Sequence, residues 1–438
     1  MRIIRRWGAA DRLCVLILVQ NLPVPFDRRV WQEALALKSN GYEVHIVCPR
    51  TKEYPGRREL LNGIRVYRYS PGPEARRAAG YLAEYGIAIL SMLRLAVGIR
   101  FRRRIDVVHI CNPPDLLFLV ALPLVARGAR LIYDHHDATP ELMLAKGQRQ
   151  DGLLSRLTTL FERLTYRCAD VSIETNDSFR EIALGRGRMP AEDVFVVRSA
   201  PDVQRFAGAE PDERWRRGRK HLAAYVGIMG SQDGLDYLVD AADVIVRDWH
   251  RDDIHFVLVG AGPELPRLRE RVTSLGIAGQ VEFTGLISSG KELGSVLLSA
   301  DVCVCPDEAN RMNDISTMNK IMEYMALGRP IVQFDVHEGR VSAGEASLYA
   351  ARNDVASLAE GIIRLVDDSE LGTRMGQIGR ERFAAKLTWE QQVPELLAAY
   401  ERALEKGGKA GGQPDRAAAR PRRGSQPDRA AARPSRGR

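Results

Sequence analysis

The sequence lacks the short motifs that mark dinucleotide cofactors, zinc sites and diphosphate-bound metal ions. No Gly-x-Gly-x-x-Gly pattern follows the first apolar run, so a dinucleotide is not expected there. No Asp-x-Asp pair is present to hold a divalent ion on a diphosphate. None of the six cysteines has zinc-site spacing, and five of them lie in or beside apolar runs. We therefore expect buried thiols in a reducing compartment, no metal and no cofactor.

Most of the chain also has no net charge. The net charge is +8, and residues 406–438 hold ten basic and two acidic residues, which accounts for all of it. No specific nucleic-acid partner is therefore expected. The same stretch repeats QPDRAAARP and has almost no large apolar residue, so it is predicted to be a disordered basic tail.

The N-terminus lacks the cleavage site of a signal peptide. It has basic residues and a short apolar run, but charged sequence follows directly. Residues 13–19 are therefore predicted to be a first core strand. The expected location is the cytoplasm, with peripheral contact at the inner face of the membrane.

Short apolar runs alternate with helical stretches in two series, which indicates two parallel sheets covered on both faces. The predicted strands are 13–19, 42–47, 64–69, 107–111, 131–133, 171–174 and 194–197, then 222–226, 256–259, 281–283, 302–305 and 331–334. The fold class is thus α/β, with two Rossmann-like domains at 1–200 and 221–387. An Arg-rich linker is expected at 201–220, and a C-terminal helix at 388–405 is expected to pack back on the N-terminal domain.

One helical stretch, 78–104, is unusually apolar and ends in FRRR. Its length would permit a membrane span, but a crossing would put the strands before and after it on opposite sides of the bilayer. Two interpretations stay open: a helix lying in the membrane interface, and a buried helix of the N-terminal domain.

Ligands of open parallel sheets bind where the strands end, so the loops after the strands are the candidate sites. The loop at 133–142 holds His135, His136, Asp137 and Glu141, which suit either a metal or a sugar hydroxyl and a proton. Adjacent histidines on an extended chain point in opposite directions, which argues against chelation by both. A glycine-rich turn at 227–234 precedes a helix and favours close approach of a phosphate.

The stretch 314–330 predicts a helix that starts at Ser316 with Asp314 as its N-cap. Steps of about 100° per residue put Ser316, Lys320 and Glu323 on one face, opposite several methionines. Lys320 would then offer a mobile cation and Glu323 an acceptor for hydroxyls. The alternative is an ordinary amphipathic helix with a wet polar face.

The ordered set of motifs resembles the family-4 glycosyltransferases, whose GT-B fold has two facing Rossmann-like domains with a cleft between them. The motifs are PFDRRVWQEALALKSNGYEVHIVCP, VVHICNPPD, DHHDATPE, VGIMGSQDGLD, LVGAGPE and KIMEYMALGRPIV. The resemblance implies transfer of a sugar from a nucleotide diphosphate sugar, generally with retention and without a metal ion.

The resemblance also implies roles for individual residues. Glu323 matches the glutamate that contacts the nucleotide ribose, and His136 with Asp137 matches the pair near the reacting sugar. Gly227 and Gly230 match the turn under the donor diphosphate.

Three positions depart from the family pattern. Ile315 stands where the family often has a second glutamate. Met229 or a neighbour, and Asp233, stand where many members have an arginine and a lysine. The cations that neutralise the diphosphate are therefore expected to be Lys320 and Arg198.

The expected function is retaining transfer of a sugar to a lipid-linked or polysaccharide acceptor in cell-envelope or exopolysaccharide synthesis. The expected partners are a nucleotide-sugar donor, that acceptor and the membrane surface. Two alternatives stay open: a nucleotide-sugar epimerase of the same fold, and a non-catalytic homologue that binds a partner enzyme.

Overall fold

The structure is a computed structural model that describes residues 12–72, 78–145 and 152–408. Most of the predicted tail, and the first residues of the N-terminal domain, lie outside these ranges. No helix among the described residues is long and apolar enough to cross a membrane.

The N-terminal domain is built on an eight-stranded sheet with the order β3-β4-β2-β1-β5-β6-β7-β8. All neighbours pair in parallel except β3, which runs antiparallel to β4 at the edge. The strands are β1 Cys14–Val19, β2 Glu43–Pro49, β3 Arg58–Leu61, β4 Ile64–Tyr69, β5 Val107–Cys111, β6 Arg130–His135, β7 Val171–Glu174 and β8 Val194–Val196. The helices are α1 Arg28–Ser39, α2 Ala78–Arg100, α3 Phe118–Val125, α4 Thr139–Ala145, α5 Leu153–Cys168 and α6 Asp177–Gly185.

The C-terminal domain is built on a six-stranded, wholly parallel sheet with the order β11-β10-β9-β12-β13-β14. Its strands are β9 His221–Val226, β10 Ile254–Val259, β11 Val281–Gly285, β12 Val302–Cys305, β13 Ile331–Phe334 and β14 Ser347–Ala350. Its helices are α7 Leu235–Asp243, α8 Leu265–Leu275, α9 Gly290–Ser299, α10 Arg311–Ile315, α11 Asn319–Ala326, α12 His337–Ala343, α13 Val355–Asp367 and α14 Ser369–Arg382. The predicted α/β architecture with two parallel-sheet domains is confirmed.

Each sheet is covered on both faces, which explains why its central strands are apolar along their whole length. In the N-terminal domain, α2 and α3 cover one face, while α1 and the last helix, α15 Trp389–Gly408, cover the other. Leu396, Ala399 and Tyr400 of α15 are fully buried in that second layer. The chain therefore returns from the C-terminal domain to complete the core of the first.

The expected linker at 201–220 folds against the C-terminal domain. It contains two short turns of 3-10 helix, Val203–Phe206 and Glu213–Arg216. Phe206 and Trp215 are buried in the core that β9, α9 and α11 share. Burial of two large aromatic side chains makes this segment part of that domain.

Side chains at the ends of β7 and α10 join the two domains directly. The Asn176 side-chain amide donates to the Ile315 carbonyl at 2.8 Å and to the Thr317 hydroxyl at 2.9 Å. Ser178 donates its hydroxyl to Glu338 at 2.6 Å. The cleft between the sheets is therefore bridged at one side by direct hydrogen bonds.

Candidate active site

The N-terminal wall of the cleft is formed by the loops after β5 and β6, which one asparagine holds together. The Asn112 side-chain oxygen accepts hydrogen bonds from the backbone N–H groups of His136 at 2.6 Å and Asp137 at 3.2 Å. Its amide group donates to the Asp137 carbonyl at 2.7 Å and to Asp115 at 2.9 Å. Neighbouring parallel strands end side by side, so one short polar residue can fix both loops.

The His136 ring is oriented by a contact with Asp134. Its Nε2 makes a short contact with Asp134 Oδ2. Asp134 is fully buried and is also 2.8 Å from the Arg29 guanidinium and 3.3 Å from His109. Burial alone would raise the pKa of Asp134, but Arg29 and His136 hold it well below its usual value. A permanent anion thus orients His136 at the cleft.

His135 faces the other way, as the strand geometry requires. It is fully buried, and its Nδ1 lies 3.0 Å from Glu174 and 2.7 Å from the Tyr166 hydroxyl. Burial would lower its pKa, but Glu174 raises the pKa to about 9. The two histidines therefore point in opposite directions, as the sequence predicts, and His136 is the one beside the cleft.

The same wall contains two sets of possible metal ligands. Each set brings its ligand atoms within 4.8 Å of one another: His109 with Cys111 and Asp134, and Glu33 with Asp134 and His136. Both sets depend on Asp134, whose charge Arg29 already balances through two nitrogen–oxygen contacts of 2.8 and 3.4 Å. A guanidinium in that position disfavours a divalent ion beside the same carboxylate. Metal independence stays a prediction.

The C-terminal wall begins with the glycine turn after β9. Gly227 packs against the loop after β10, whereas Gly230 is enclosed by Gln232 and Asp233 of its own turn. A Cβ on Gly227 would lie 2.5 Å from the Tyr225 hydroxyl, and one on Gly260, whose φ is +144°, would lie 1.8 Å from the Gly227 carbonyl oxygen. These glycines are required by the packing of the two loops on each other, whatever ligand they also admit.

Lys320 was expected to be a mobile cation, but the structure buries it. Its ammonium lies 2.9 and 3.0 Å from the two oxygens of Asp307, 3.7 Å from Asp233 and over the Tyr225 ring. Burial would lower the pKa of Lys320, but Asp307 holds it well above the usual value. The pKa of Asp233 is raised by burial, which Lys320 partly offsets. Lys320 is therefore a structural cation between two carboxylates.

The helix expected from Ser316 begins later, at Asn319. Ser316 ends the short helix α10 and donates its hydroxyl to the Met312 carbonyl at 2.7 Å. Asp314 does not cap α11, because it pairs with Arg352 at 2.6 Å. Residues between α10 and α11 are extended, since they make the crossing to Asn176 in the other domain. Ser316 therefore does not share a helical face with Lys320 and Glu323.

Glu323 lies where cations from two parts of the chain meet. Its carboxylate is 2.5 Å from the Arg205 guanidinium and 3.9 Å from that of Arg28, the first residue of α1. Burial raises the pKa of Glu323, and Arg205 and Arg28 partly offset the effect. Arg205 itself lies 4.5 Å from the centre of the Phe206 ring. One carboxylate and two guanidinium groups thus face the junction of the domains.

Arg198 lies at the domain junction but pairs with other residues. Its guanidinium is 3.5 Å from Glu338 on α12 and 3.5 Å from Asp177. Its backbone N–H donates to Gln392 at 3.1 Å. In the described part of the chain, no contact joins it to Lys320 or Glu323, so its geometry indicates a role in holding the domains together.

The match to family models decides which family this arrangement belongs to. A model described as "Glycosyl transferase 4-like domain" matches residues 27–200, and one described as "Glycosyl transferases group 1" matches residues 220–368. Each model covers one of the two sheet domains. The chain belongs to the group 1, or family 4, glycosyltransferases. It is a glycosyltransferase enzyme by family and by the named activities of its relatives.

This glycosyltransferase is similar to curated enzymes of Streptomyces. It is 26% identical to alpha-D-kanosaminyltransferase of Streptomyces kanamyceticus over 262 residues, which is 56% of this chain and 66% of that protein. It is 29% identical to 2-deoxystreptamine N-acetyl-D-glucosaminyltransferase of Streptomyces fradiae over 364 residues, 78% of this chain and 80% of that protein.

Solved structures show the same fold at lower identity. Sucrose-phosphate synthase of Thermosynechococcus elongatus aligns with a TM-score of 0.73 at 18% identity, covering 90% of this chain and all of that one. Anabaena Alr3699/HepE in complex with UDP-glucose aligns with a TM-score of 0.67 at 14% identity, covering 89% of this chain and all of that one. Both matches extend over the two domains of the glycosyltransferase.

Five residues of the glycosyltransferase site were not foreseen from the sequence, and one of them is Asp134, the last residue but one of β6. Arg205 was assigned to a linker, and Arg28 stands in the DRR motif without an assigned role. Asp307, two residues after β12, and Asn112, directly after β5, follow strands at the edge where ligands bind. Their positions after parallel strands could therefore have identified Asp307 and Asn112 as candidate site residues.

Proposed function

We propose that this glycosyltransferase transfers a hexosyl group, with retention, from a nucleotide diphosphate sugar to a lipid-linked or polysaccharide acceptor in cell-envelope or exopolysaccharide synthesis. The observation that carries the proposal is the meeting of Glu323 with Arg205 and Arg28 between the two domains. A carboxylate suits the hydroxyls of a ribose, and the two guanidinium groups suit the oxygens of a diphosphate.

The chemistry follows from where charge develops. The bond between the anomeric carbon and the diphosphate oxygen breaks, and the acceptor hydroxyl oxygen bonds to the same face of that carbon. The hydroxyl proton leaves on the departing diphosphate. Negative charge therefore grows on the diphosphate, and fixed cations near it lower the barrier without an ion from solution. Arg205 comes from the C-terminal side and Arg28 from the N-terminal side, so both act only when the cleft is closed.

Asn112 and Asp134 would prepare the opposite wall for the sugar. Asn112 orients the backbone of His136 and Asp137, and Asp134 orients the His136 ring. Burial raises the pKa of Asp137, so its carboxyl accepts a proton more readily than in water. In the proposed complex, His136 and Asp137 hydrogen-bond the hydroxyls of the transferred sugar.

The donor class is supported by the structural neighbour that binds UDP-glucose, because it shares the two-domain arrangement over nearly its whole length. The acceptor class is supported by the apolar helix α2 and the arginines after it, which would bring the enzyme to a membrane surface. A transferase for lipid-linked acceptors needs such contact.

Arg205→Gln tests the donor site. Nucleotide sugars are screened for a rise in melting temperature, and the best one is then titrated by calorimetry. We expect the variant to bind that donor at least tenfold more weakly than the wild type, because a charge-assisted contact to the diphosphate is lost. Transfer is followed as donor-derived label in the lipid-extractable fraction of membranes.

Arg214→Gln is the matched control. Arg214 stands in the same segment and also lies over a neighbouring aromatic ring, at 4.6 Å from Trp215, but it is exposed and pairs with Glu292. Equal donor affinity in the Arg205 variant and the control would refute the site. Conversion of the donor sugar with no acceptor present would indicate an epimerase instead.

A further inference from the structure

A small cavity lined by arginines lies on the N-terminal domain, away from the cleft. It has a volume of about 230 Å³ and lies between the C-terminal end of α2 and strands β2 to β4. The residues with basic side chains that line it are His45, Arg58, Arg65, Arg94, Arg102 and Arg103. His45 and Arg65 stand near the N-terminal ends of their strands, whereas the cleft is formed where the strands end. This arginine pocket is therefore a separate site.

The positive charge of the pocket is only partly balanced. Glu43 contacts Arg65 and lies 3.0 Å from His45 and 3.6 Å from Arg103. Among the described residues, no carboxylate lies within ion-pair distance of Arg94, Arg102 or Arg58. Five guanidinium groups beside one carboxylate favour a bound anion, and forked N–H donors suit the oxygens of a phosphate.

The surroundings of the pocket are apolar. Leu60, which follows Arg58 on the edge strand, is 67% exposed, and Leu90 and Phe101 of the α2 region are 62% and 86% exposed. Nine of the fourteen exposed large hydrophobic residues in the described chain lie in α2, α3, α5 or at Phe101. These helices lie side by side on one face of the sheet. Apolar exposure on this scale is unusual for a surface that meets only water.

Among the side chains that the structure describes on this helix face, no carboxylate is exposed. Within 85–145 and 152–168 of the described chain, every aspartate and glutamate is buried or half-buried. Exposed arginines stand among the leucines, at Arg94, Arg127, Arg156, Arg163 and Arg167. Mixed apolar and basic side chains are the composition that binds an anionic bilayer, and they would not suit a soluble sugar phosphate.

We propose that the arginine pocket binds the phosphate of an anionic lipid headgroup while the neighbouring apolar side chains enter the bilayer interface. The proposal names the lipid partner of the membrane contact in the proposed function, but it does not depend on which sugar is transferred.

The test measures co-sedimentation of the full-length protein with phosphatidylglycerol–phosphatidylcholine vesicles. We expect Arg94→Gln with Arg102→Gln to weaken binding at least tenfold, since each arginine near an anionic surface adds to the attraction. Vesicles of phosphatidylcholine alone should not bind the wild type. Because vesicle binding needs neither donor nor acceptor, its failure is separate from failure of the transferase proposal.

Two control pairs make the outcome specific. Arg364→Gln with Arg374→Gln removes the same charge from exposed sites on the C-terminal domain and should leave binding unchanged. If Arg156→Gln with Arg163→Gln weakens binding as much as the pocket pair does, attraction is diffuse and the pocket site is refuted. If glycerol phosphate stabilises the protein but the protein does not bind vesicles, the phosphate in the pocket does not come from a lipid and the proposal is refuted. A preserved melting temperature in the pocket pair shows that the loss is not unfolding.

Discussion

At the scale of single residues, the surroundings of Lys320 change the role assigned to it. The helical spacing correctly predicts that Lys320 and Glu323 lie one turn apart on the same helix. Spacing along a helix does not show what packs against it, however. Asp307, Tyr225 and Asp233 come from other parts of the chain and enclose the ammonium, so the mobile cation expected from the sequence is buried.

This burial predicts that Lys320→Ala destabilises the fold. Removing one partner of a buried ion pair leaves the other charge unpaired, which costs about 3–5 kcal/mol. We expect a loss of that size in the free energy of unfolding measured with urea. Lys320→Met combined with Asp307→Leu should recover part of the loss, because the buried Asp307 carboxylate is removed together with its cation and only the half-buried Asp233 loses a partner.

Lys291→Ala is the control for a lysine on the same domain. Lys291 is exposed, so its removal should change the unfolding free energy by less than about 0.5 kcal/mol. A Lys320→Ala protein as stable as the wild type, with weaker donor binding, would restore the original assignment of Lys320 to the diphosphate.

At the scale of elements, a buried charge cluster joins β6, β7 and α5 behind the loop that follows β6. His135 ends β6, Glu174 ends β7, and Tyr166 reaches both from α5. The apolar pattern of these strands predicts their place in the sheet. It does not predict that a charged pair closes their ends.

The cluster predicts a dependence of stability on pH. The pKa of His135 is about 9 in the folded protein and 6.5 in the unfolded chain. The contribution of His135 to stability is therefore complete below pH 6.5 and is lost as the pH rises through 9. Two to three pKa units correspond to roughly 3 kcal/mol. As the pH rises from 6.5 to 9.5, the free energy of unfolding measured with urea should therefore fall less for the His135→Gln variant than for the wild type.

His255→Gln serves as the reference for this pH series. His255 is also buried in a strand, but burial lowers its pKa, so it is already neutral across that range. Its variant should follow the wild-type slope. Parallel slopes for the His135 variant and the wild type would contradict the assigned charge state of the cluster.

At the scale of the whole molecule, the two domains are fixed by contacts at the edge of the cleft. Glu338 is fully buried and accepts from Ser178 while it faces Arg198. The same arrangement brings Arg28 of the first domain toward Glu323 of the second. The mutual position of the domains therefore determines whether the cations of the donor site come together.

Glu338→Gln should loosen this arrangement. The amide keeps the size of the side chain but removes the charge that Arg198 faces, so a more open population is expected. Small-angle X-ray scattering should show a larger radius of gyration, and donor affinity should fall several-fold without loss of the melting transition of either domain. Glu345→Gln, at an exposed position of the same domain, is the control. Unchanged scattering and unchanged donor affinity would show that Glu338 is not what holds the domains.

The sequence by itself determined the two parallel sheets, the order of their elements and the family. Apolar runs of strand length indicate strands that are buried on both faces of a sheet. Such a run can be recognised from a few consecutive residues. The sequence misses β3 and β14, because both are edge strands with partly exposed side chains and therefore lack a continuous buried apolar run. It also places the start of α11 too early, since the extended residues before it are held by Asn176 from the other domain.

Only the tertiary structure decided which charges meet. Glu323 and Arg205 are 118 positions apart, and His136 is oriented through Arg29 more than a hundred positions away. Periodicity covers a few turns of one element, whereas the partner of a buried charge is set by the folding of distant loops onto each other. For that reason the sequence identified Glu323 and His136, and the fold supplied Arg205, Arg28 and Asp134.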